Sequence, residues 1–415
     1  MLIIKKKYGK NIIQFNSIRS KVIINDLINI FNMFKDNKKV NFVLDFTNLK
    51  SAAYPHSLVL IAGIADYYKT NYNYNISFVS KEGKYFSHTR ADRPTPVTNE
   101  NDEHVNNIFD QVVTFASSSD VSYISETISN YLWNNIQCSE GVLIGLSWCM
   151  NEIMDNALLH SNVSKGYFMA QIHKENKRIS ISIYDNGIGL KESINSSNIY
   201  RAETDSEAIN QVIKKGVTCN PQVGQGNGMW GLYEIVKENK GYMSIKTGDV
   251  QHEYRFEGND PIINTKNSFI SKNNKGTCVD FTIKFDKFID INKALDSYIP
   301  HEYISRNIED NFLDENYINI NILEQAKEGL GTRNSGKKMR IFILNTMEIE
   351  KSPILLDFSN IKIISSSFAD EFLGKLANEV GILFFSNHFK IKGANSYIEG
   401  IINKAITERL AQKTK

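Results

Sequence analysis

Proline and cysteine are scarce, at 7 and 4 in 415 residues. So little proline, with 41% hydrophobic and 23% charged residues, excludes a collagen-like or disordered chain. The cysteines are Cys138, Cys149, Cys219 and Cys278. No two are three apart and no histidine stands at ligand spacing, so reduced thiols fit better than a zinc site or a disulfide framework. Neither charge sign is in excess, since 48 Lys and Arg against 46 Asp and Glu leave +2. That excludes a globally basic nucleic-acid wrapper and a global acidic mimic, though not a local patch. The longest uncharged apolar run, Leu58 to Ala65, falls far short of the roughly 20 residues that span a bilayer. At the N-terminus Met1-Leu2-Ile3-Ile4 precedes Lys5-Lys6-Lys7, the reverse of signal-peptide order. The expectation is a soluble cytoplasmic protein with neither membrane nor nucleic acid among its partners.

What is present starts with a repeat. Leu44-Asp45-Phe46-Thr47-Asn48-Leu49-Lys50 returns as Leu356-Asp357-Phe358-Ser359-Asn360-Ile361-Lys362, an offset of 312 with five of seven positions identical. Each copy follows an apolar strand-like run and precedes a helical pattern, Leu58 to Tyr68 in the first and Phe368 to Val380 in the second. The chain is too long for one ordinary core. It divides into modules over 1–90 and 291–415, a polar linker over 91–117, and a mixed α/β block over 118–290.

Three motifs in that block carry chemistry. Residues 140–160 predict a helix on which Glu152, Asn156 and His160 share a face beside an apolar stripe of Leu146, Met150, Ile153 and Ala157. A carboxylate and an amide so placed suit proton acceptance and Mg²⁺ ligation, although an ordinary solvated helix face has the same pattern. Asp185-Asn186-Gly187-Ile188-Gly189 follows the alternating strand Ile179, Ile181, Ile183. There a carboxylate can point into a pocket while the backbone turns, or the segment is a plain Asp-Asn-Gly turn. Gly224-Gln225-Gly226-Asn227-Gly228-Met229-Trp230-Gly231 runs into a helix, which suits a phosphate cradle. The glycine spacing also satisfies the dinucleotide fingerprint, but a long polar segment precedes it where a first strand is required.

In this order and spacing, with Lys275-Gly276-Thr277 opening a closing strand, the boxes resemble the GHKL ATPases, the nucleotide-binding fold of gyrase and histidine kinases. Asn156-Ala157-Leu158-Leu159-His160 is most similar to the anti-sigma-factor serine kinases within that group. The resemblance covers roughly 118–290 and implies a central α/β sandwich of the Bergerat type. It also implies ATP and Mg²⁺ as ligands, with Asn156 on the metal and Glu152 as the general base for water or a protein hydroxyl. Asp185 would take the adenine amino group, supported by Thr277, and Gly187 and Gly189 would shape that pocket. Gly224, Gly226, Gly228 and Gly231 would cradle the phosphates under a lid over 190–223, in which Lys214 and Lys215 are candidate phosphate sensors.

The repeated segment resembles the STAS fold of anti-anti-sigma proteins, giving an α/β multidomain chain with STAS-like modules at both ends. The resemblance places a phosphorylatable serine in the loop before the helix, and there the second copy has Ser365, Ser366 and Ser367. The same serines also suit simple capping of the helix. The first copy has Ala53-Tyr54-Pro55 at the matching positions. The expectation is an ATP-dependent regulatory protein that hydrolyses ATP or phosphorylates a protein serine, acting with a regulatory protein partner. A homodimer is implied by the resemblance alone. A non-catalytic ATP-gated switch and a gyrase-type machine are the rivals.

Overall fold

Alternation of apolar and polar residues builds the first sheet. In the computed structural model, Ile3–Lys7 (β1) and Lys10–Gln14 (β2) form a hairpin, and β2 runs parallel to Asn41–Asp45 (β3). Strand β3 in turn runs parallel to Asn75–Val79 (β4). Phe42 and Leu44 of β3 are buried between the helices Lys21–Asn32 (α1) and Pro55–Tyr72 (α2) and the sheet. Pro55 sits at the first turn of α2, where its missing N–H costs nothing. The left-handed Asn73 ends that helix by donating to the Tyr68 carbonyl. The structure describes residues 2–411 except 19–20, 38, 50–53, 83–84, 98–107, 161–163, 197–198, 218–227, 259, 268–275, 296–316, 327–328 and 350–351.

After the short helix Tyr85–His88 (α3), the segment expected as a linker supplies two strands, Thr95–Pro96 (β5) and Val113–Phe115 (β6). Val113, Thr114 and Phe115 are all buried. The polarity of 91–106 hid the short apolar run that follows it. Helices Ser118–Asn135 (α4) and Val142–His160 (α5) come next, then the predicted hairpin Gly166–His173 (β7) and Arg178–Asp185 (β8). Leu190–Asn195 (α6) and Asp205–Val212 (α7) break up the expected lid. Gly228–Glu238 (α8) leads to Tyr242–Thr247 (β9), Val250–Arg255 (β10), Ile262–Asn267 (β11) and Thr277–Lys284 (β12). Strands β5 to β12 form one eight-stranded sheet ordered β11-β10-β9-β12-β8-β7-β6-β5.

The C-terminal part holds Ile291–Ala294 (α9), Ile318–Asn321 (β13), Ile322–Gln325 (α10) and Arg333–Ile349 (α11). Ile354–Asp357 (β14) lies parallel to both β13 and Phe389–Lys392 (β15). Between β14 and β15 run Ser366–Ala369 (α12), a π-helical turn at Asp370–Gly374, Lys375–Val380 (α13) and Ile382–His388 (α14). Ser396–Ala411 (α15) closes the chain's described part. The two ends share their turn chemistry. Asp45 Oδ1 accepts from Thr47 N–H at 2.9 Å, and Asp357 Oδ1 accepts from Ser359 N–H at 2.8 Å. Phe46 N–H donates to the Val79 carbonyl and Phe358 N–H to the Lys392 carbonyl, each at 2.7 Å.

The described residues are mixed α/β with three sheets, in two compact units. One unit comprises 1–117, 136–139 and 156–287; the other comprises 118–135, 140–155 and 288–415. The block expected as 118–290 is therefore shared, with α4 and most of α5 in the second unit. No helix among the described residues is long and apolar enough to cross a membrane.

Candidate functional site

In the first unit, four strands place Thr247, Thr277, Asp185 and Gly166 in one row across the sheet. Asp185 ends β8 because its strand neighbours Ile179, Ile181 and Ile183 are buried, which fixes the register of everything after them. Its Oδ1 accepts the Gly187 N–H at 2.8 Å, so the turn folds around the carboxylate. Burial pushes this carboxyl up to about 7, against the Gly187 and Thr277 N–H groups that hold it down. Gly189, with φ of 80°, leads into α6 in a conformation that favours glycine. The Leu190 N–H donates to Thr247 Oγ1 at 3.1 Å, so Thr247 anchors the loop after the motif. Sequence reasoning did not single out Thr247, and one threonine at a strand end carries no signal before the register is known.

Gly228 opens α8 and Gly231 is buried within it. Gly224, Gly226 and Lys275 lie outside the described residues. The expected lid contains two helices with a small core of Ile194, Ala202 and Ala208. Lys215 Nζ stands 5.3 Å from the Trp230 ring centroid, a cation held over an aromatic face. Asn156 is half-buried on α5, one turn after Glu152. Nothing is described of the His160 side chain.

The second unit brings together residues 212 and 214 positions apart in sequence. Glu152 accepts a hydrogen bond from the Ser366 hydroxyl, and the Ser367 backbone N–H also reaches it. Ser367 Oγ donates to Asp155 Oδ2 at 3.3 Å. Glu152 and Asp155 are 7% and 6% exposed. Burial raises both carboxyls, Asp155 to about 7, while Arg333 and the serine hydroxyls oppose the shift. The three candidate serines now separate. Ser365 caps α12, its Oγ accepting the Phe368 N–H at 3.0 Å, whereas Ser366 and Ser367 face the carboxylates. Capping accounts for the first; it does not account for the other two.

A buried ionic network stands behind them. Arg409 holds Asp370 with two 2.5 Å hydrogen bonds, and Arg333 lies 3.6 Å from the same carboxylate. Glu371 is paired with Lys375, and Arg340 lies 3.9 Å away from it. Asp155 and Arg333 were missed from sequence. Asp155 follows Glu152 by three and shares its helical face, so the spacing held that signal, but Arg333 lies on another element. Among the described residues no group of three or more His, Cys, Asp and Glu could hold a metal ion.

Residues 335–399 match the family model described as a STAS-like domain of unknown function (DUF4325). The match runs from Ser335 in α11 to Glu399 in α15 and contains all three candidate serines. No curated protein matches the chain. The C-terminal part of the protein thus carries a STAS-like domain.

Proposed function

We propose that the chain is an ATP-dependent regulatory protein that phosphorylates a serine of its own STAS-like domain, with Ser366 as acceptor. The hydrogen bond from Ser366 to Glu152 carries this reading. A carboxylate whose affinity for protons is raised by burial, already bonded to a hydroxyl, is suited to remove that hydroxyl's proton. In the step, the bond between the β-γ bridging oxygen and the γ-phosphorus breaks and a bond from Ser366 Oγ to phosphorus forms. The proton passes to Glu152 and ADP leaves. Phosphoryl transfer asks mostly for positioning and for stabilisation of charge.

Asp185, Gly187, Gly189 and Thr277 would hold the adenine, and Gly224, Gly226, Gly228 and Gly231 the phosphates, as the GHKL resemblance implies. The buried Asp185, at the end of β8 and inside the four-strand row, supports that assignment. Asn156 would contribute one amide oxygen to Mg²⁺. One amide does not make a resident metal site, but it fits an ion that arrives on nucleotide phosphates and keeps its waters. Mg²⁺ there would neutralise phosphate charge. The N-terminal module, with its matching turn, would be a second STAS-like domain without a serine at the positions that match Ser365–Ser367.

Incubation of the full chain with γ-labelled ATP and Mg²⁺ tests this. Protein-bound label is expected on wild type and on Ser365→Ala, and is expected to vanish on Ser366→Ala and on Glu152→Gln. Free phosphate without bound label would make the protein an ATPase. A second reading, an ATP-gated switch without turnover, is favoured by the burial of Glu152 under the STAS-like domain, and would give neither product.

A further inference from the structure

The residue after Asp185 is held by the N-terminal module. Asn186 Nδ2 donates to the Gly63 carbonyl, in the middle of α2, at 2.9 Å. Its Oδ1 accepts the Tyr184 hydroxyl at 2.5 Å. The amide is therefore fixed at both ends, once by the helix and once by the strand that leads to Asp185. A Cβ at Gly63 would stand 2.5 Å from the Tyr184 ring, so only glycine lets α2 approach this closely. One turn on, Asp66 Oδ2 accepts the Tyr167 hydroxyl at 2.6 Å and pairs with Lys165 at 2.9 Å. Burial opposes ionisation of Asp66, but Tyr167 and Lys165 together hold its carboxyl below the usual range. Tyr167 and Tyr184 are direct partners across β7 and β8, so the helix seats on one cross-strand pair at both contacts.

We infer that α2 sets the orientation of the Asp185 loop, so that the N-terminal module governs recognition of the adenine amino group, with Gly63 and Asn186 as positioning residues. The inference rests on the nucleotide reading of Asp185. Coupling is reciprocal: whatever Asp185 binds must in turn stabilise the seating of α2.

The experiment uses the full chain and compares binding of Mg-ATP with Mg-ITP, whose base lacks the amino group. Wild type is expected to prefer ATP. Asn186→Ala is expected to weaken ATP by about tenfold, the worth of one well-placed hydrogen bond, and to leave ITP unchanged. A merely destabilised protein would lose both nucleotides alike. An ATP preference that survives Asn186→Ala overturns the inference and leaves the nucleotide reading standing. Binding of neither nucleotide by wild type overturns both. Hydrogen exchange on wild type gives a measurement that needs no variant. Mg-ATP is expected to slow exchange across Pro55–Tyr72, and an unchanged rate there overturns the coupling.

Discussion

The two ends of the chain present the same turn and use the helix after it in opposite ways. After Asp45, helix α2 meets its neighbours through a glycine, a tyrosine pair and one amide. After Asp357, helix α12 meets its neighbours through hydroxyls aimed at buried carboxylates. The first contact is mainly steric and neutral, with Asp66 adding one ion pair to Lys165. The second depends on charge, because Glu152 and Asp155 tolerate a hydroxyl donor but would repel an anion in the same place. The same turn chemistry thus precedes a helix with mostly uncharged contacts at one end and a helix facing buried carboxylates at the other.

That contrast breaks most visibly at Ser366. Ser366→Asp sets a charge against Glu152 and should cost the second unit roughly 3–5 kcal/mol, the scale of an uncompensated buried charge. Urea unfolding followed by a probe in that unit reads it, and an unchanged midpoint would mean that the contact is not formed. Gly63→Val should cost the first unit about 1–3 kcal/mol through overpacking against Tyr184. Ser366→Ala should cost less, about 1–2 kcal/mol, since it only removes a donor from Glu152.

The pH dependence sharpens the comparison, because each unit holds one buried aspartate raised to about 7. Between the ordinary aspartate value of 3.8 and about 7, the folded form keeps a proton that the unfolded chain has lost. Stability from each group is therefore full at low pH, falls as pH rises through that window, and is flat above it. Asp155→Asn should reduce the slope in the second unit, where the raised Glu152 keeps part of it, and leave the first as it was, with Asp185→Asn reducing it in the first alone. Thermal melts between pH 4 and 8 decide it, and a slope that ignores both substitutions would place the titration elsewhere.

Much of the architecture was legible in sequence. The hairpin at Gly166–Asp185, the helix bearing Glu152 and the turn shared by Asp45 and Asp357 follow from periodicity and repetition. Strands β10 and β11 were not foreseen. His252 and Glu253 are 2% and 4% exposed on β10, so the strand hides behind polar residues that look like loop. The pairing of Ser366 with Glu152 joins elements 214 positions apart and leaves no local trace. Sequence could nominate three serines; only packing separates the cap from the two that meet carboxylates.

The π-helical turn at Asp370–Gly374 marks a difference between the two ends. From Phe46 to its bonded partner Val79 is 33 positions, and from Phe358 to Lys392 is 34. A π turn is what a helix forms when it must absorb one extra residue. One residue advances the helical face by about 100°, enough to turn a different set of side chains toward a neighbour. Ser365–Ser367 stand before that turn, at the same spacing from Asp357 as Ala53–Pro55 have from Asp45, so the extra residue re-aims the helix that follows them. The length of the segment shapes the helix after the serines as much as its letters do.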